Sequence, residues 1–265
     1  MTELRFIQVD AFADRPFGGN PAAVMPLDEW LPDDILQAIA EENNLSETAF
    51  TVRADGRVAD YELRWFTPTT EVALCGHATL ASGHVLIEGD EVRFATRKSG
   101  VLIVRRGEQG ALELDLPQIR VAPARYPELL AALGTSGAEF FLSYEGAEAT
   151  AIVLLPDEGA VRDCAPDMAA LRDISLMAIV TAPAGGNGYD VVSRVFVPAW
   201  GVDEDPVTGS AHAALAPFWA ERLGRERFTA FQASKRGGLV QCRIEGARSI
   251  LGGRCVTMIE GSFRL

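Results

Sequence analysis

Sulfur chemistry has little to work with in this chain. Its four cysteines, Cys75, Cys164, Cys242 and Cys255, are scattered without a CxxC pair, which excludes a disulfide framework and a zinc ribbon and leaves reduced thiols as the expectation. Positive charge is scarce too: Lys and Arg number 24 against 37 Asp and Glu, a formal net charge of -13. Nucleic-acid binding draws its affinity from clustered cations that release counterions, and here only Lys235-Arg236 forms a short basic pair, so no nucleic-acid partner is expected. No apolar run approaches the roughly 20 residues that a membrane span requires. The segment Met1 to Asp10 lacks the basic start and apolar core of a signal peptide, so the expected location is cytoplasmic and no membrane partner is expected. No GxGxxG joins a strand to a helix, no GK[ST] signature occurs and no GxSxG elbow is present, which leaves no expected nucleotide cofactor and a weak case for a serine hydrolase.

What the chain does have is an internal echo. Arg64-Trp65-Phe66-Thr67-Pro68, followed by Cys75-Gly76-His77-Ala78 and an apolar run, returns as Arg194-Val195-Phe196-Val197-Pro198, followed by Thr208-Gly209-Ser210-Ala211 and another apolar run. The offset is 130 residues at the prolines and 133 at the glycines, so the second copy carries three extra residues between strand and glycine. A duplicated strand-loop-glycine-helix unit implies two half-sites facing one cleft. The 265-residue length suits two domains of ordinary size, and the irregular, proline-rich stretch Pro117 to Pro127 is the linker candidate. The expected lobes are residues 1–117 and 118–265, with the C-terminal segment a candidate to cross back to the first.

Period and punctuation give the elements. Leu4 to Val9 reads as a strand, Asp14 to Pro21 as a dense turn, Ala22 to Met25 as a strand and Asp33 to Glu42 as a helix, after which a loop places Glu47 near the start of a strand through Val52. Tyr61 to Phe66 is a strand. His77 to Glu88 has too few charges for a surface helix and is expected to be buried and central. Strands are expected at Val92 to Phe94, Val101 to Arg105 and Leu112 to Leu116. In the second half they fall at Ala151 to Leu155, Ala178 to Ala182, Tyr189 to Val197, Leu239 to Ile244 and Val256 to Glu260. Helices fall at Met168 to Arg172 and Ser210 to Leu223, with a glycine turn at Gly185-Gly186-Asn187-Gly188. The architecture is α+β: two β-rich lobes, each curling around one apolar helix.

Each residue with chemistry also has a plain structural reading. His77 follows Gly76 at a helix start, where free backbone N–H groups favour an anion and an imidazole can pass a proton, yet it is equally readable as a helix-start residue satisfied locally. Asp205, Thr208 and Ser210 stand just ahead of or within a helix start, where capping is their ordinary role. His212, two residues on, reads as structural. Glu47 sits where the surroundings become apolar quickly, and a carboxylate in a poorly hydrated pocket makes a usable general acid or base; an exposed loop glutamate is the bland alternative. Cys75 precedes the first glycine, where a helix start activates a thiol, although inert buried cysteine is commoner.

Together, Asp10-Ala11-Phe12 through Gly18-Gly19-Asn20-Pro21-Ala22-Ala23-Val24, Leu45-Ser46-Glu47-Thr48-Ala49-Phe50, Arg64 to Pro68 with Cys75-Gly76-His77-Ala78-Thr79, Glu204 to Ala211, and Gly252-Gly253-Arg254-Cys255-Val256 resemble the PhzF-like family of phenazine-biosynthesis isomerases. The likeness runs from Val9 almost to the C-terminus. It implies the diaminopimelate-epimerase-like fold, a homodimer, no metal or organic cofactor, and a small anionic substrate. By resemblance Glu47 is the acid/base, His77, Asp205 and Ser210 support it, and the backbone of Gly76 and Gly209 faces the ligand, with Thr208 and Cys75 beside them.

Racemases of the same fold use two opposed cysteines, and matching Ala211-His212-Ala213 to the second thiol motif places Val207 where that cysteine would be, which disfavours a two-thiol epimerase. The implied reaction is a proton shift on an unsaturated, carboxylate-bearing metabolite, with trans-2,3-dihydro-3-hydroxyanthranilate a possible substrate. The alternatives are a non-catalytic small-molecule-binding protein on the same fold and, from another class, a hydrolase using Ser210 or Cys75 as nucleophile.

Overall fold

A computed structural model describes residues 2–145, 149–186 and 188–265; Asn187, inside the expected glycine turn, lies outside the described residues. The chain divides into two compact units, Met1–Asp115 with Gly252–Leu265, and Leu116–Leu251.

The first unit runs β1 (Glu3–Ala11), β2 (Asn20–Leu27), α1 (Asp33–Asn43), β3 (Glu47–Arg53), β4 (Tyr61–Phe66), β5 (Glu71–Val72), α2 (Gly76–Leu86), β6 (Glu91–Thr96), β7 (Val101–Arg106) and β8 (Leu112–Pro117). The second runs β9 (Ala122–Pro123), α3 (Pro127–Ala132), β10 (Glu139–Ser143), β11 (Thr150–Leu154), α4 (Glu158–Asp163), α5 (Met168–Arg172), β12 (Met177–Pro183), β13 (Val191–Val197), β14 (Val202–Asp205), α6 (Gly209–Leu223), β15 (Arg227–Gln232), β16 (Gly238–Glu245) and β17 (Arg248–Gly253). The last strand, β18 (Cys255–Arg264), pairs antiparallel with β1 and so belongs to the first unit.

The expected central helix of the first unit is there. Gly76 through Gly83 of α2 are all buried, and the helix packs against β1, β2, β3, β7 and β18. A helix apolar all round can only be an interior one, and its small residues let the sheet close in. At Gly83 an added Cβ would lie 2.5 Å from Val104 Cγ1, too close for any other residue without displacing β7. In the second unit α6 takes the same place, with nine buried residues and contacts to β11 and β16.

The duplication extends to topology. β2 and β3 are parallel across α1, as β11 and β12 are parallel across α4 and α5; β4 and β6 are parallel across α2, as β13 and β15 are across α6. Parallel neighbours need such crossovers. It extends to side chains as well. Arg64 donates to both carboxylate oxygens of Glu71, and Arg194 donates to both of Glu204, with each guanidinium 4.9 Å from a phenylalanine ring, Phe66 and Phe196 respectively. The three extra residues fall between these partners, where the second unit has a short 3-10 turn at Pro198–Trp200 closed by Gly201 at φ 88°. Only a residue tolerant of the left-handed region closes such a turn without strain.

Candidate active site

Glu47 owes its position to the end of α1. Asn44 adopts the left-handed conformation (φ 47°, ψ 37°) and its N–H bonds Ala40 O, which stops the helix and turns the chain into β3. Glu47 is the first residue of that strand, beside Ala22 of β2. His77 is the second residue of α2, and its Nε2 lies 3.0 Å from Glu47 Oε2. Both side chains are largely removed from solvent, 4% and 18% exposed, and Oε2 has no partner apart from that ring. On the other side of the ring, Nδ1 lies 3.1 Å from Asn20 Nδ2, and Asn20 Oδ1 accepts from Ser46 Oγ.

Cys75 Sγ approaches His77 Nδ1 at 3.6 Å. Burial, and then the negative Glu47, push its pKa up to about 11. The helix start therefore does not activate this thiol, because desolvation outweighs it. Burial works to lower the His77 pKa, but it is raised well above its usual value, and with the Cys75 thiol protonated the charge responsible is that of Glu47. Glu47, Cys75 and His77 bring an oxygen, a sulfur and a nitrogen within 4.8 Å of one another.

Gly76 opens α2 behind an extended Cys75, and the first intrahelical bond is made by Thr79 N to Cys75 O. The N–H groups of Gly76, His77 and Ala78 precede that bond, and no side chain caps the helix. A ligand carboxylate suits such a terminus.

In the second unit, α6 begins the same way behind an extended Thr208, again without a side-chain cap. Thr208 Oγ1 donates to Asp205 Oδ2 at 2.5 Å. Gln232, fully buried on β15, accepts from Thr208 N and donates to Asp205 O, which fixes the turn that carries Gly209. Ser210 is half-buried, its Oγ 3.8 Å from Met177 Sδ. His212 is fully buried, its ring bonding Thr208 O at 2.8 Å, and burial lowers its pKa to about 4, which makes it a neutral structural residue.

Cys75 and Thr208 occupy the same cap position of the two helices, so the counterpart of the first thiol is Thr208 rather than the expected Val207, which is buried and one residue earlier. The conclusion that a second thiol is missing there is unaffected. Sequence reasoning passed over Asn20, Ser46 and Gln232 as contributors. Asn20 lay within a recognised motif but read as a turn residue, and Gln232 lay on a strand whose short pattern went unread. A hollow of the second unit, about 1060 Å³, is lined by residues such as Leu133, Leu155, Cys164 and Trp219 and includes none of the candidate site residues.

Comparison with known proteins gives the same architecture. A PhzF-family structure from Enterococcus faecalis superposes with a TM-score of 0.91 at 41% identity, covering 100% of both chains. A hydroxyproline epimerase from Agrobacterium vitis matches at a TM-score of 0.60 over 98% of this chain and 92% of its own, and at 14% identity that likeness is one of fold alone. Among curated proteins, an uncharacterized isomerase of Pseudomonas aeruginosa is 49% identical over 99% of this chain and 100% of its own, and a human phenazine biosynthesis-like domain-containing protein is 37% identical over 96% of each. Fold and relatives define an isomerase-type enzyme with the two-lobed, epimerase-like α+β fold. The family model described as phenazine biosynthesis-like protein (PhzC-PhzF) matches residues 9–261, and the chain belongs to that family.

Proposed function

We propose that this protein is a cofactor-independent isomerase that moves a proton on a small, unsaturated, carboxylate-bearing metabolite, with Glu47 as general acid/base. The observation that carries the reading is the pairing of Glu47 with His77: a carboxylate oxygen, buried and without another partner, beside an imidazole that can hold it in place and balance its charge. A positioned acid/base contributes on the order of a hundred- to ten-thousand-fold in rate, and orientation of the substrate supplies the rest. The N–H groups at the uncapped starts of α2 and α6 are suited to a carboxylate. Asp205, Thr208 and Ser210 are assigned to substrate support, with Gly76 and Gly209 offering backbone N–H groups.

The internal duplication favours a one-base reaction. Glu47 and Met177 each begin the second strand of a parallel crossover pair, and His77 and Ser210 are each the second residue of a central helix. Met177 and Ser210 thus stand where the first unit has its carboxylate and imidazole. A thioether takes no proton at neutral pH, so the proton removed by Glu47 is returned by Glu47 on the same face. A substrate resembling trans-2,3-dihydro-3-hydroxyanthranilate fits this chemistry, and a homodimer in the cytoplasm is the working assembly.

The test is an NMR assay in deuterated water of wild type and Glu47→Gln with that compound and a panel of unsaturated amino and hydroxy acids. Isomerisation or deuterium uptake by wild type, lost in the variant, is the expected result. Undiminished turnover by Glu47→Gln would remove Glu47 from the mechanism. Saturable binding of a panel compound, equal in both proteins and without turnover, would favour a non-catalytic binding protein.

A further inference from the structure

Asn20 is fully buried at the start of β2. The β1–β2 turn delivers it there through Gly19 at φ +61°, where an added Cβ would stand 2.1 Å from Ala11 O, so only glycine lets the chain pass. Its amide meets His77 Nδ1 on one side and Ser46 Oγ on the other, each at 3.1 Å. Ser46 is the residue immediately before Glu47, so one side chain braces both the ring and the segment that form the pair.

Resting on the reading of Glu47 as acid/base, we propose that Asn20 is the positioning residue of His77: its amide serves Nδ1 as donor or as acceptor, and so lets the imidazole gain or lose a proton without leaving its place against Glu47. The reasoning is one of hydrogen-bond bookkeeping at a buried site. A neutral ring that donates from Nε2 to the Glu47 carboxylate has a lone pair at Nδ1, which Asn20 Nδ2 satisfies. An imidazolium carries a proton on Nδ1 and needs an acceptor, which the same amide supplies when turned end for end, with Oδ1 toward the ring. Ser46 accommodates both arrangements because a hydroxyl donates or accepts. His77 Nδ1, the Asn20 amide and the Ser46 hydroxyl thus keep partners in either state, whereas an unpartnered Nδ1 would cost about 1–3 kcal/mol. Leucine at this position serves neither state, and aspartate serves only the charged one.

The ionisable groups facing the ring are Glu47 from β3 and Cys75 from the cap of α2. The charge of Glu47 favours the imidazolium, and the ring's pKa stands above its usual value against burial. A partner that accepts both protonation states therefore has work in the range where the pair operates.

The test is ¹⁵N and side-chain amide NMR of the full-length protein across pH, made tractable because the chain has three histidines. In wild type the Asn20 amide resonances are expected to move with the same midpoint as the His77 ring. Asn20→Asp is expected to raise that midpoint by about one unit or more, and Asn20→Leu to lower it by a similar amount. In both, kcat should fall roughly ten- to a hundredfold while KM changes little, as for residues that orient a reacting group. Midpoints unchanged in both folded variants would overturn the proposal. If neither variant folds, wild type decides: a His77 ring that keeps one protonation state from about pH 5 to 10, or an Asn20 amide indifferent to its titration, would overturn it. Failure of the Glu47 reading is distinguishable, because Glu47→Gln would then stay active whatever the His77 midpoints do in the Asn20 variants.

Discussion

Arg194 and Glu204 form a two-pronged pair, Nε to Oε1 at 2.7 Å and Nη2 to Oε2 at 3.1 Å, that repeats in the second unit the pair made by Arg64 and Glu71 in the first. The remaining prong differs between the copies. Arg64 Nη1 donates to Asp33 at the start of α1, whereas Arg194 Nη1 donates to the carbonyl of Cys164 just beyond α4. Each arginine thus ties the strand before the glycine loop to the crossover helix of its own unit. Arg64→Leu and Arg194→Leu should each cost about 2–4 kcal/mol, because the orphaned glutamate is partly buried. Urea midpoints measure this, and losses under about 1 kcal/mol would reduce both pairs to ordinary surface contacts.

Glu47→Gln keeps the size and shape of the side chain but removes its basicity. Thermal unfolding should move little, and substrate binding should survive. Proton exchange should drop by at least about a hundredfold. A variant that unfolds well below wild type would mean that the pair with His77 is structural before it is chemical.

Cys75 should be unreactive in the folded protein. With a pKa near 11, about one molecule in three thousand carries the thiolate at pH 7.5. Cys242 and Cys255 are likewise pushed up by burial, the latter to about 12. Alkylation by iodoacetamide followed by peptide mass analysis should leave all three unmodified until denaturant is added, and Cys75→Ser should keep its turnover. Rapid labelling of Cys75 would revive the nucleophile reading.

His212 ties stability to pH in a defined direction. Its pKa is about 4 in the folded chain and about 6.5 when exposed, so between those values the unfolded state binds more protons and stability rises with pH. The penalty is absent above about pH 7 and reaches about 3 kcal/mol below pH 4. His212→Leu should flatten this part of the stability profile measured from pH 7 to 4. A His212 signal titrating near 6.5 by proton NMR would contradict the assignment.

Much of this was legible in the order of residues, and the reasons are physical. The helix at Gly76–Leu86 announced itself by lacking charge, and Tyr61–Phe66 by alternation ending at a proline. β10, β15 and β17 are not legible because Phe140-Phe141-Leu142, Ala230-Phe231-Gln232 and Ser249-Ile250-Leu251 do not alternate apolar with polar. Helices α3 and α4, six residues each, are held by packing more than by propensity. In the site, Glu47 and His77 were nameable because their motifs are compact. Asn20 and Gln232 were not, because a side-chain amide means nothing until its neighbours are known.

The sequence by itself determined the α+β class, the doubling of the unit, the lack of a second cysteine at the matching helix start and the candidacy of Glu47 and His77, since composition, periodicity and motif spacing are properties of the chain alone. Only the tertiary structure decided that Glu47 and His77, 30 residues apart, meet at 3.0 Å, that Cys75 is a desolvated thiol rather than an activated one, and that Met177 begins its strand as Glu47 does in the first unit. Distance and dielectric belong to the packed state, and no pattern along the chain encodes them residue by residue.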